Sequence, residues 1–228
     1  MNRRRRRLVG AIAGIALAPG MVLVAPAGAV SARVRWGLLI DTTKCKDGCQ
    51  TCVEACRNEN GWRQSGDIDT DPQWIRIVTV SDRQGGATRR LPVMCQHCRR
   101  PSCVDVCPTG ASFKRADNVV LVDKHICIGC RYCMMACPYK ARSFVFSEVE
   151  DQKPHAPRGK GTVESCTLCV HRIDDGRIPA CVEACPGALT FGDLYDPDSA
   201  ISRQASRHLA TRIRADLGLE PGVLYLGL

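Results

Sequence analysis

The chain has 228 residues and sixteen cysteines, against four Phe, four Tyr and three Trp, and carries a formal net charge of +9. So few aromatic side chains exclude a fold fixed by a large aromatic core and point to cysteine cross-links or metal as a second source of stability. The basic excess comes with no nucleic-acid-binding motif, so no nucleic-acid partner is expected.

Residues 1–29 read as an export signal. Arg3 to Arg7 form a basic run, Leu8 to Val24 are apolar with Pro19 interrupting them, and Ala27-Gly28-Ala29 offers small residues at cleavage spacing. Arg5-Arg6-Arg7-Leu8-Val9 is similar to a twin-arginine signal, which carries folded, cofactor-loaded proteins across a bacterial membrane. A general secretory signal or an uncleaved anchor would share the same pattern. Loss of this segment removes five arginines and no acid, taking the charge from +9 to +4.

Beyond it the pattern predicts an α+β chain of short elements. Arg35 to Ile40, Trp74 to Val80, Val119 to Val122 and Ser143 to Val149 read as strands, being rich in β-branched or aromatic residues. Asn58 to Pro72 and Asp151 to Thr162 are polar, Gly/Pro-bearing loops suited to partner contacts. Ser199 to Leu217 predicts a helix with Ile201, Leu209, Ile213 and Leu217 on one face.

Between these elements the cysteines fall into four runs: Cys45, Cys49, Cys52, Cys56; Cys95, Cys98, Cys103, Cys107; Cys127, Cys130, Cys133, Cys137; and Cys166, Cys169, Cys181, Cys185. Pro108, Pro138 and Pro186 follow the last three runs. The third run has the spacing of the bacterial ferredoxin motif. Three cysteines at two-residue gaps wrap three corners of one iron–sulfur cube, with backbone N–H groups turned to the sulfurs. The closing cysteine leads away and ligates a neighbouring cube. Cys52-Val53-Glu54-Ala55-Cys56 recurs as Cys181-Val182-Glu183-Ala184-Cys185, with Cys103-Val104-Asp105-Val106-Cys107 a near copy, so duplication of a two-cluster unit is expected.

Disulfides and structural zinc are the competing uses of cysteine. Disulfide scaffolds seldom place cysteines in tight quartets, and a triple at two-residue gaps suits a cube better than one tetrahedral ion. His97, His125 and His171 lie near cysteines, but sixteen thiolates already suffice for four cubes. Trp36, Trp62 and Trp74 read as packing residues, while Arg99-Arg100 and Lys124-His125 flank cysteine runs and are either ordinary surface charge or groups whose charge raises reduction potentials. No Gly-rich dinucleotide loop, P-loop or hydrolytic constellation is present, and no catalytic residue is assigned.

The lead-in Ile40-Asp41-Thr42-Thr43-Lys44-Cys45, the exit Arg57-Asn58-Glu59-Asn60, Met94-Cys95-Gln96-His97-Cys98 and Cys127-Ile128-Gly129-Cys130-Arg131-Tyr132-Cys133 carry a resemblance. From Trp36 onward the chain resembles the four-cluster ferredoxin-like subunits of the dimethyl-sulfoxide-reductase and polysulfide-reductase type. It is similar, within that type, to the periplasmic ferredoxin subunit of the membrane complex linked to dissimilatory sulfite reductase. Thiosulfate-, polysulfide- and tetrathionate-reductase ferredoxin subunits are close rivals.

The resemblance implies duplicated bacterial-ferredoxin-like modules holding four 4Fe–4S clusters. Cys45, Cys49, Cys52 and Cys185 would hold cluster 1, and Cys166, Cys169, Cys181 and Cys56 cluster 2. Cys95, Cys98, Cys103 and Cys137 would hold cluster 3, and Cys127, Cys130, Cys133 and Cys107 cluster 4. Residues 30–228 would form the four-cluster domain. Module A would comprise about 36–57 with 160–195, module B about 90–145, and a C-terminal helix and tail 199–228. Lys46-Asp47-Gly48 is one residue longer than the gap usual in the type, which places the question of fit at Cys45. The implied partners are a multi-helix quinone-interacting membrane subunit and a molybdopterin, haem or further iron–sulfur subunit, with this chain peripheral to the membrane in the periplasm. A freely diffusing polyferredoxin is the alternative.

Overall fold

The computed structural model describes residues 34–81, 88–150 and 152–228. The expected export signal and Asp151 of the second polar loop lie outside the described residues.

The centre is a three-stranded sheet in the order β8-β1-β9: β1 is Trp36–Asp41, β8 Leu189–Asp193 and β9 Val223–Leu226. β1 pairs antiparallel with β8 and parallel with β9, Leu38 standing opposite Phe191 on one side and Val223 on the other. Period-two alternation sends Leu38 and Ile40 into the main core with Val223 and Tyr225. Leu39 turns to the other face, against Ile201 and Leu224. β1 is therefore buried on both faces, as its run Leu38-Leu39-Ile40 requires.

Three antiparallel pairs surround this sheet. β2 (Ile75–Ser81) runs beside β3 (Thr88–Met94), β4 (Ser112–Lys114) beside β5 (Val120–Val122), and β6 (Ser143–Phe144) beside β7 (Val163–Glu164). Tyr225 ties β9 to β3, its hydroxyl donating to the Pro92 carbonyl at 3.1 Å and accepting from Gln96 Nε2 at 3.2 Å. Short helices carry the cysteines: α1 (Thr51–Asn60), α2 (Ser102–Asp105), α3 (Tyr132–Ala136), α4 (Val170–Asp174) and α5 (Ala180–Ala184). α1 packs on α5, and α2 on α3. Among the described residues no helix is long and apolar enough to cross a membrane.

Three expected elements differ. The C-terminal helix is α6 (Ala200–Arg207), ending ten residues short of Leu217, and Leu209 takes a left-handed φ of 50° and is 86% exposed. The cause is tertiary: Thr211 exchanges backbone hydrogen bonds of 2.8 Å with Tyr225, pulling the chain out of the helix to follow β9. The tail beyond is not loose, since β9 completes the central sheet. The strand expected over Ser143 to Val149 stops at Phe144, because its partner β7 offers only two residues. Asn58–Asn60, expected in a loop, form the last turn of α1.

Candidate metal centre

α1 shows how the chain presents its thiols. Cys52, Cys56 and Asn60 recur at four-residue intervals and are buried on one face. Gly61 ends the helix in the left-handed region at φ 70°, where its N–H reaches the Arg57 carbonyl. Asn60 Nδ2 then donates to the Cys56 carbonyl at 3.0 Å and to Cys56 Sγ at 3.6 Å.

Cysteines from separate runs converge. Cys45, Cys49, Cys52 and Cys185 line one cavity, Cys56, Cys166, Cys169 and Cys181 a second, and Cys107, Cys127, Cys130 and Cys133 a third. Cys103 and Cys137 act electrostatically on both Cys95 and Cys98, forming a fourth group. The groups also feel one another: Cys52 acts on Cys181, Cys95 on Cys166, and Cys133 on Cys103. The four quartets thus stand in a row.

The two outer joints of the row are single helical turns. Cys52 and Cys56 of α1 serve adjacent quartets, so one turn, about 5.4 Å along the axis, separates them. The segment from Cys181 to Cys185 joins the same two quartets in the opposite sense, while Cys103 to Cys107 and Cys133 to Cys137 join the other two. The added residue in the first run is absorbed by Gly48 at φ 73°, in a turn closed by the Cys49 N–H on the Lys46 carbonyl at 3.2 Å. Cys45 remains beside Cys185 and Cys49.

All sixteen cysteines are free thiols. Burial pushes Cys56, Cys166 and Cys181 well above the ordinary thiol range and lifts Cys52 and Cys98 to about 12, with neighbouring sulfurs adding to it. Packing such groups together as thiolates requires positive charge between them. N–H donors are already aimed at the sulfurs: Leu168 N lies 3.4 Å from Cys166 Sγ, Ser112 N 3.3 Å from Cys107 Sγ, and Val163 N 3.5 Å from Cys127 Sγ. Four thiols around each space, with donors turned to sulfur, fit a thiolate-held cluster. At the edges Cys49 is lowered, chiefly by the Thr51 hydroxyl.

Other expected residues found different places. His97 is buried, with Nδ1 accepting from the Val120 N–H at 3.1 Å, and burial together with Arg142 pushes its pKa down to about 3. Arg99 and Arg100 turn to Glu220, at 3.0 and 3.2 Å, which cancels much of their charge. His125 is exposed, whereas Lys124 buries its ammonium against the Val163 carbonyl near Cys127. Trp62 and Trp74 are fully buried packing residues.

Sequence reasoning missed three charged groups. Arg142 is buried beside Cys103. Glu164 receives Arg158 through two hydrogen bonds, of 2.8 and 3.0 Å. Glu59 gathers His171 Nε2 at 2.7 Å and both arms of Arg172 at 2.8 and 2.7 Å, with His155 stacked on His171. Glu59, His155 and His171 have metal-ligand chemistry, but the guanidinium occupies both carboxylate oxygens, so the group is a clasp between α1 and α4. Charged residues scattered 112 and 113 positions apart leave no local signal in a sequence.

Two 4Fe–4S dicluster domain profiles match the chain, over residues 44–111 and 87–194. It is 41% identical to the Hdr-like menaquinol oxidoreductase iron-sulfur subunit 1 of Archaeoglobus fulgidus, over 85% of this chain and 84% of the relative. The chain belongs to the 4Fe–4S dicluster iron–sulfur subunits. Within them it is 40% identical to a tetrathionate reductase subunit of Salmonella typhimurium, over 87% of this chain and 74% of that one. A sulfite dehydrogenase subunit of Allochromatium vinosum is 38% identical, over 83% and 81%. Like other dicluster subunits it is an electron-transfer protein of an oxidoreductase complex, and its sixteen cysteines fit four 4Fe–4S clusters.

Proposed function

We propose that each quartet holds one cluster and that the row is a wire between two partner proteins. Cluster 1 sits on Cys45, Cys49, Cys52 and Cys185, and cluster 2 on Cys56, Cys166, Cys169 and Cys181. Cluster 3 sits on Cys95, Cys98, Cys103 and Cys137, and cluster 4 on Cys107, Cys127, Cys130 and Cys133. The observation that carries this is the gradient of burial along the row. All eight cysteines of the two middle quartets are buried, whereas Cys49 and Cys130, in the two outer ones, are exposed. A 4Fe–4S cluster, when bound, takes up or gives out one electron. The protein insulates the middle of the path and opens both ends. α1 with α5, and α2 with α3, each bracket two neighbouring quartets, which supports duplication of a two-cluster unit.

The two ends suit different partners. Ile126, Ile128, Tyr132 and Met135 are exposed along the segment that carries Cys130, an apolar rim fitted to a multi-helix membrane subunit that handles quinone. Lys44, Lys46 and Arg90 line the cavity of Cys49, a cationic rim fitted to an acidic redox subunit. The names of the menaquinol-oxidoreductase and tetrathionate-reductase relatives favour a sulfur- or anaerobic-respiratory complex. With residues 1–29 as a twin-arginine signal, that complex faces the periplasm.

The test is iron and acid-labile sulfide on anaerobically purified protein, with electron paramagnetic resonance during reduction. About sixteen irons per chain with interacting S = 1/2 signals are expected from four cubes; zinc or no metal overturns the reading. Co-purification with a quinone-reactive membrane fraction is expected, and full recovery as a lone soluble protein overturns the docked arrangement. The periplasmic protein is expected to begin close to Val30, and an intact cytoplasmic Met1 terminus overturns the export assignment.

A further inference from the structure

Arg142 stands between the third and fourth quartets. It is 6% exposed, and its NH2 group donates to Cys103 Sγ at 3.2 Å and to Ser112 Oγ at 2.7 Å. The same guanidinium lies in hydrogen-bonding reach of Cys133 and acts electrostatically on Cys95. Its NH1 is buried with no oxygen or nitrogen partner. Among the described residues no carboxylate forms an ion pair with it, and, beyond the effect of burial, its charge bears on the buried His97 ring and on the Lys124 ammonium, lowering the pKa of both. A buried guanidinium without a carboxylate is costly unless another anion balances it. The anions available are the sulfurs of two quartets.

We infer that Arg142 is a shared potential-setting residue for clusters 3 and 4. It is not a structural ion-pair partner and ligates nothing. This rests on the cluster assignment proposed above. Adding an electron to a thiolate-held cluster increases negative charge, so a fixed cation bonded to its cysteine sulfur stabilises the reduced state and raises the potential. Cys103 belongs to one quartet and Cys133 to the other, so one side chain lifts both midpoints together. Arginine suits the position because its forked donors can meet sulfurs on two sides while its charge stays fixed.

The experiment is a potentiometric titration, followed by electron paramagnetic resonance, of the full-length holoprotein carrying Arg142→Gln or Arg142→Lys. Iron is counted first. A wild-type protein without about sixteen irons fails the cluster reading, not this one. With iron in place, Arg142→Gln is expected to lower two of the four midpoints, each reduced-to-oxidised ratio falling about tenfold at a given potential, 59 mV for one electron. The other two midpoints stay, and Arg142→Lys keeps most of the lift. Four unmoved midpoints, a shift in one alone, an equal shift in all four, or equal losses in Gln and Lys overturn it. Should both variants lose iron, the unaltered protein with arginine labelled only at its guanidinium nitrogens decides. Hyperfine coupling of guanidinium nitrogen to two reduced clusters is expected, and coupling to none or one overturns the inference.

Discussion

Replacing Glu164 by Gln tests how the floor beneath the fourth quartet is held. Glu164 is 0% exposed, and its two oxygens accept from Arg158 Nε at 2.8 Å and NH2 at 3.0 Å, the arginine side chain itself being 7% exposed. Lys124 adds a second cation drawn to the same carboxylate. The amide keeps the shape of the side chain and removes its charge, leaving Arg158 and Lys124 buried without their anion. Removing one member of a buried pair costs about 3–5 kcal/mol, a large share of the roughly 5–15 kcal/mol that holds a domain together. For a chain of this size each kcal/mol moves the melting temperature by about 2–4 °C, so a fall of roughly 6–20 °C is expected. The assay is the midpoint for loss of visible cluster absorbance on heating at a fixed scan rate. Glu164→Gln with Arg158→Met removes both charges and should recover more than half of the fall. A single-mutant fall under about 2 °C, or a double mutant no better than the single one, would refute the reasoning.

Gly129 has φ 66°, and a Cβ there would stand 2.0 Å from the Gly161 carbonyl oxygen. Gly129→Ala should therefore spread the Cys127–Cys133 loop and reduce iron from about sixteen to about twelve per chain, with one set of resonance signals lost. Lys124 should imprint a pH dependence on stability. Burial lowers its pKa from 10.5 to about 8, so between those values the unfolded chain binds more protons than the folded one. Stability contributed by this group accordingly rises with pH across that window and is lost as pH falls toward 8. Lys124→Met should flatten the rise, and denaturant midpoints at several pH values would show it.

The cysteine runs were legible because cluster chemistry imposes spacing on the sequence itself, and β1, β2 and β5 because continuous β-branched or aliphatic runs announce buried strands. The helix over Ser199 to Leu217 was overread for a physical reason. Its apolar residues recur at helical spacing and no glycine or proline interrupts them, while the competing partner, Tyr225, lies fourteen residues downstream of Thr211. β6 was overread because strand length is set by the partner, and β7 is short. Arg142 and Glu164 carry no mark in the sequence. Only the fold reveals that each is buried, because what makes them special is the arrival of residues from other runs. The meeting of the first cysteine run with the fourth was likewise carried by family resemblance; nothing in the local spacing around Cys52 or Cys185 specifies it.

The clasping of β1 between β8 and β9 sets an order of manufacture. Among the described residues the first strand is completed by the last, and Cys45, Cys49, Cys52 and Cys56 meet thiols more than a hundred residues further along the chain. On the cluster assignment proposed above, loading during translation is open only to the Cys95–Cys137 half. On that assignment a chain stopped after Cys137 would carry every ligand of two clusters behind an open, unloaded beginning.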